Sequence, residues 1–203
     1  MREGRLFVFS GPSGVGKGTV CKELVKDPSL KLSISMTTRS PREGEQEGIS
    51  YFFVSREEFE ETIKEGGLLE HAKIYENYYG TPRKAVMESL KAGYDVILEI
   101  EMQGALQVKS SFPDAILVFI LPPSMEVLRQ RLIGRSTETP EQLALRMKGT
   151  LQEMQYIKDY DYYLINDDLD ACVSDARSII KAERFKLRND DWKEIVRKYE
   201  EEE

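Results

Sequence analysis

The 203-residue chain is poor in the residues that staple a fold, bind metals or cross a membrane. Its two cysteines, Cys21 and Cys172, lie far apart and in no metal-ligand spacing, which excludes a disulfide framework and a zinc site. A single histidine, His71, leaves little for histidine-based acid–base chemistry. The longest apolar stretch, 115–123, falls well short of the roughly 20 residues that span a bilayer. Near the start only residues 6–9 form an apolar run, so no secretory signal is expected and the cytoplasm is the default location. Basic residues are in the minority, 29 Lys and Arg against 36 Asp and Glu, for a formal net charge of −7. That argues against a nucleic-acid binder, whose footprint is a basic excess. It leaves small phosphate-bearing molecules open, because such a site needs only a few cations in one place.

A hydrophobic share of 40% and a charged share of 32% describe a soluble globular chain, of a length that suits one α/β domain. Residues 5–10, 95–100, 115–121 and 162–165 read as short strands, the first three apolar with little alternation, as expected when helices cover both faces. Helical patterns follow each of them, at 17–26, 103–110, 125–132 and 169–187. Such alternation predicts a parallel sheet flanked by helices. Residues 32–93 have a different texture, polar and rich in glycine and tyrosine. They read as an inserted lobe of short strands with helices near 56–65 and 83–91.

Residues 9–19 read Phe-Ser-Gly-Pro-Ser-Gly-Val-Gly-Lys-Gly-Thr, directly after the first strand and opening the first helix. Gly11, Gly16 and Lys17 match the phosphate-binding loop in its required context. The glycines let several N–H groups turn onto one anion, the helix N-terminus adds its dipole, and Lys17 adds a full charge. One departure stands out: the residue after the lysine, normally Ser or Thr and a Mg²⁺ ligand, is Gly18, with Thr19 next. Either Thr19 reaches the phosphates, or the metal is held by water and a carboxylate elsewhere.

The inserted lobe offers Arg39 and Arg42 three apart on a loop fixed by Pro41, two planar forks suited to a phosphate monoester. Glu70 supplies a carboxylate, which suits the adjacent N1–H and N2–H₂ donors of guanine and finds no such pair on adenine. Arginines cluster again at Arg129, Arg131, Arg135 and Arg146 around residues 134–140. Beside a phosphate loop these read as a lid that brings cations to the transferring phosphoryl group. In an extended segment His71 points away from Glu70, so the two would not act together. A phosphate acceptor, largely dianionic at neutral pH, needs no base.

These segments, with 48–53, 97–104 and 160–169, resemble the bacterial guanylate kinase family over about residues 4–188. The resemblance implies an α/β P-loop kinase fold with a parallel core sheet flanked by helices, a GMP-binding lobe at about 33–93 and a lid at about 129–146. It implies transfer of the γ-phosphoryl group of ATP to GMP, with Mg²⁺. Gly11, Pro12, Ser13, Gly14, Val15, Gly16, Lys17, Gly18 and Thr19 would cradle ATP, with Asn166 and Asp167 near the adenine. Ser35, Glu70 and Thr81 would read guanine, and Arg39, Arg42, Tyr51 and Tyr79 would hold the GMP phosphate. Lys17, Arg131, Arg135 and Arg146 would be catalytic. Glu99 and Glu101, where the family often has aspartates, would reach the guanosine or the metal, with Thr19 and Glu101 as metal candidates. ATP and GMP are the partners implied, with neither nucleic acid nor a membrane.

Two alternatives compete: a guanylate-kinase-like binding module without catalysis, and a kinase of this architecture with another small phosphate acceptor. Residues 189–203 form a helical extension in which Trp192, Ile195, Val196 and Tyr199 share one face. Docking of that face on the chain's own core is the expectation, with a subunit contact as the alternative; the oligomeric state stays open.

Overall fold

Strand β1 (Leu6–Ser10) has no solvent-facing residue, and the molecule is layered around it. A computed structural model describes residues 3–74, 76–133, 140–187 and 191–201. Five parallel strands form the main sheet in the order β2 (Leu30–Leu32), β7 (Asp95–Glu99), β1, β8 (Ile116–Leu121), β9 (Tyr162–Ile165). Alternation along β1 sends side chains to two cores. Phe7 and Phe9 pack with Val20 and Leu24 of α1 (Lys17–Leu24) and with Val173, Ala176 and Ile180 of α7 (Leu169–Phe185). Leu6 and Val8 pack with Val86 and Leu90 of α3 (Arg83–Lys91) and with Ala105 and Val108 of α4 (Met102–Ser111).

The parallel sheet with helices on both sides agrees with the sequence reading, and element ends differ from it by one or two residues. Strand β2 was not expected; three residues are too few for a periodic signal, and its pairing with β7 defines it. The lobe holds a second sheet in the order β4 (Phe52–Phe53), β3 (Met36–Thr37), β6 (Asn77–Pro82), β5 (Leu68–Ile74), beside α2 (Arg56–Lys64). Helix α3, included in the lobe by its sequence position, packs on the main sheet instead, because Val86 and Leu90 bury themselves among Leu6, Val8 and Val96. Helices α5 (Met125–Ile133) and α6 (Pro140–Glu153) flank residues 134–139, which lie outside the described residues. A 3-10 turn (Met154–Asp159) leads from α6 back to β9.

The last helix, α8 (Asp191–Glu200), forms as the periodicity predicts, but its apolar face is not docked. Trp192, Ile195, Val196 and Tyr199 keep between 43% and 70% of their surface exposed. The physical reason is that α1, α3, α4 and α7 already cover both faces of the sheet. Among the described residues no helix is long and apolar enough to cross a membrane. Cys21 and Cys172 are free and buried, and burial pushes the Cys172 thiol up to about 11.

At the end of the sheet away from the phosphate loop, buried Asp95 accepts hydrogen bonds from the Arg5 backbone N–H (2.7 Å) and from Arg184 Nε. Arg184 also donates to Ser29 Oγ at 2.7 Å, so it ties α7 to the starts of both β7 and β2. Removing one partner of such a pair strands the other in a poorly solvated place. Arg184→Ala is therefore expected to lower unfolding free energy by about 3 kcal/mol in urea titrations, with catalytic turnover unchanged.

Candidate active site

At the carboxyl end of β1 the chain turns sharply into α1. Gly11 has φ of 144°, and a Cβ there would lie 2.3 Å from the Ile120 carbonyl oxygen of neighbouring β8. Gly16 caps α1 in the left-handed region, with φ of 94° and no side-chain cap. The first turn of α1 thus presents uncapped N–H groups and contains no acid, the electrostatics of an anion site. Lys17 Nζ donates to the carbonyl oxygens of Gly11 and Pro12, which folds the lysine over the loop. Of the predicted loop residues Gly11, Pro12 and Val15 are buried, and Val15 joins the core; its backbone carbonyl faces Asn166 and Arg131.

Two cavities flank this loop. One, of about 340 Å³, is lined by Gly14, Gly16, Thr19, Arg131, Asn166, Asp167 and Leu169. The other, of about 260 Å³, opens between the main sheet and the lobe. Its walls carry Lys17, Ser35, Tyr51, Glu70, Tyr79, Glu99 and Glu101, residues from six separate stretches of sequence. The loop lysine therefore shares one cavity with Ser35, Tyr51, Glu70, Tyr79, Glu99 and Glu101, whereas Arg39, Arg42 and Thr81 are not among the residues that line it.

Glu70 sits in β5 with its side chain buried, while His71, next in the strand, is exposed on the opposite side. Thr81 Oγ1, fully buried, donates to Glu70 Oε1 at 2.6 Å. The threonine predicted to read guanine thus orients the carboxylate predicted to read it. Burial pushes the Glu70 carboxyl above the usual carboxylate range, with the Thr81 hydrogen bond opposing. A Cβ on Gly104, in the first turn of α4, would lie 2.6 Å from Glu70 Oε2, so only glycine leaves the carboxylate its place.

The lobe's arginine loop is held from within. Arg39 donates to Glu45 Oε1 at 2.9 Å and lies over the Tyr51 ring, 5.5 Å from its centroid. Glu45 Oε2 accepts the Arg42 backbone N–H at 2.8 Å, and the Arg42 side chain is exposed. The Arg39 hydrogen bond holds the Glu45 carboxyl below its ordinary value. Glu45 and Gly104 were not among the predicted site residues. A lone acid in a polar loop and a glycine in a helical stretch carry no specific signal.

Gly18 now has a reason. A Cβ there would lie 3.2 and 3.4 Å from the Glu99 carboxylate oxygens, so the space normally filled by a Ser or Thr side chain borders Glu99. Desolvation raises the Glu99 carboxyl, Lys17 opposes the rise, and Glu101 adds to it. The metal candidates Thr19 and Glu101 line different cavities, whereas Glu99 meets the loop itself. Carboxylate and hydroxyl oxygens beside a phosphate loop suit Mg²⁺, a hard cation usually held by one or two carboxylates plus phosphate and water. Among the described residues no three acidic, histidine or cysteine side chains are grouped so as to hold a metal ion by themselves. Arg135 and the Arg146 side chain lie outside the described residues.

A parallel sheet with a lysine-bearing phosphate loop at its carboxyl edge, where α1 begins, places the fold in the P-loop kinase class. Comparison with known proteins narrows this. The family model described as guanylate kinase matches residues 3–183. The guanylate kinase of Clostridioides difficile (strain 630) is 49% identical over 197 residues, covering 97% of this chain and 95% of that protein. That of Clostridium tetani is 54% identical over 187 residues, covering 92% and 90%. The crystal structure of guanylate kinase from Anaplasma phagocytophilum superposes with a TM-score of 0.75 at 35% identity, over 92% of this chain and 89% of that one. The chain belongs to the guanylate kinase family.

Glu70 gives the site a pH signature. Its folded carboxyl titrates above the ordinary value near 4.5, so holding it ionised costs stability once the pH passes that value. Glu70→Gln removes this cost. The stability of the variant relative to the unmodified chain, without ligands, is expected to be greater at pH 8 than at pH 4 in urea melts.

Proposed function

We propose that the two cavities are the donor and acceptor subsites of one reaction, with ATP on the Asn166 side and GMP on the lobe side. The chain is an ATP:GMP phosphotransferase, and Lys17 in the same cavity as Glu70, Ser35, Tyr51 and Tyr79 is the observation that carries this division. ATP lays its phosphates along the N–H groups of Gly11–Thr19. The ammonium of Lys17 leaves the Gly11 and Pro12 carbonyls for the phosphate oxygens, a stronger, charge-assisted partner. Mg²⁺, when bound, neutralises charge on the β- and γ-phosphates. Glu99, with Thr19 and Glu101, supplies its protein oxygens.

GMP enters with guanine against Glu70, whose ionised carboxylate accepts both N1–H and N2–H₂, and with Ser35 completing the edge. Thr81 holds the carboxylate in place from behind. Arg39, Arg42, Tyr51 and Tyr79 take the GMP phosphate, Arg39 trading Glu45 and the backbone for it. The acceptor is already an oxyanion, so the residues need only align it in line with the γ-phosphorus and keep water out. Arg131 at the end of α5, joined by Arg135 and Arg146, meets the charge spread over the transferring group. The reaction is placed in the cytoplasm, in purine nucleotide metabolism.

Purified protein with ATP, Mg²⁺ and GMP is expected to give ADP and GDP, and a panel of other nucleoside monophosphates and ribose phosphates to give little. No turnover of GMP, or equal use of the panel, overturns the assignment. Glu70→Gln, whose amide cannot accept both donors, is expected to lower kcat/KM for GMP by roughly 100-fold, because a donor on guanine is left facing a donor. Lys17→Ala is expected to lower kcat by a similar order while calorimetric GMP affinity stays within about twofold.

A further inference from the structure

The Asn166 side chain faces the phosphate loop rather than open solvent. It is 6% exposed, and its Nδ2 donates to the Val15 carbonyl oxygen at 2.7 Å. Its backbone N–H donates to Leu121 O at 2.9 Å, so the residue is anchored where β8 ends. From the other side Arg131 donates to the Asn166 carbonyl at 2.9 Å and, more distantly, to Val15 O at 3.4 Å. The Val15 side chain is fully buried in the core. A Cβ on Gly16 would lie 2.4 Å from Asn166 Nδ2, so the amide also occupies the space beside the left-handed glycine.

We propose that Asn166 is a positioning residue of the phosphate loop: by gripping the Val15 carbonyl it aims the Gly16 N–H at the polyphosphate. The reason is peptide geometry. In a trans peptide the carbonyl of Val15 and the N–H of Gly16 point in opposite directions, so fixing one fixes the other. With Val15 held by the core and its carbonyl held by Asn166, the peptide cannot flip to turn a carbonyl toward the anion. Arg131 shares the same acceptor. When its guanidinium moves to the phosphates, Asn166 is left holding the loop. Asn166 thus acts on ATP through its phosphates and not through its base. This rests on Gly11–Thr19 being a polyphosphate site, and is independent of GMP being the acceptor.

Inorganic tripolyphosphate, which has no base, separates the possibilities. In titrations with Mg²⁺, Asn166→Ala and the similarly branched but donor-less Asn166→Leu are expected to bind tripolyphosphate roughly tenfold more weakly, and ATP by the same factor, with GMP affinity unchanged. In the ligand-free protein, amide hydrogen exchange over residues 14–19 is expected to be faster in both variants, at melting temperatures that report a folded chain. Unchanged tripolyphosphate affinity overturns the proposal; if ATP alone weakens, Asn166 reads the base. Unchanged exchange in folded variants overturns it independently of any ligand. Failure of the unmodified chain to bind tripolyphosphate overturns the polyphosphate reading of the loop, and this proposal with it.

Discussion

The site depends on one unmet demand: where β1 gives way to α1 the helix begins at a glycine with no side-chain cap, so the N–H groups of its first turn meet no capping side chain. Strand β1 lies in the middle of a parallel sheet, hydrogen-bonded on both sides and buried on both faces. Its chain can leave only at the carboxyl edge, and the turn it makes there packs against the Ile120 carbonyl so closely that Gly11 has no room for a side chain. The helix that follows starts without a side-chain cap. Its free N–H groups, the loop lysine and the helix dipole then act in the same direction, toward a polyanion. The lysine itself takes loop carbonyls as partners, which keeps its ammonium hydrogen-bonded.

The acceptor side is built on the opposite principle. There the protein holds carboxylates where desolvation works against them, Glu70 beneath the lobe sheet and Glu99 against Gly18, and both titrate upward as a result. The surrounding structure makes the places available: Thr81 donates a hydrogen bond, and Gly104 and Gly18 withhold a Cβ. A carboxylate held this way discriminates strongly, because in a desolvated place an unmatched ligand edge is costly. Under the proposed function the two kinds of group divide the work, the cavity carboxylates facing base and metal and the cations facing phosphate.

Much of this was legible in the sequence, for a physical reason. Apolar runs without alternation, a glycine-rich turn and a lysine opening a helix are local signals, and the fold keeps local signals where they stand. The lobe's Glu70 and His71 pointed opposite ways as strand geometry requires. What escaped was whatever depends on contacts between distant segments. Strand β2 is three residues long and exists through its pairing with β7. Helix α3 follows the lobe in sequence but belongs to the main core. The amphipathic stripe of α8 was read as a docking face, and the sheet had no uncovered face left to receive it.

The chain by itself determined the class of chemistry, since a phosphate loop, arginine pairs and a single misdirected histidine are properties of residue type and spacing. Tertiary structure alone decided how those residues are deployed. It made Thr81 the support of Glu70, set Glu99 against the glycine that replaces the usual hydroxyl, and turned Asn166 toward the Val15 carbonyl across 151 positions of sequence. Each of these is a hydrogen bond or a steric limit between different elements of the fold, from neighbouring strands for Thr81 and Glu70 to opposite ends of the chain for Val15 and Asn166. No local pattern encodes such a contact, because its geometry exists only once the strands concerned lie side by side, β5 with β6 in the lobe and β1, β7, β8 and β9 in the main sheet.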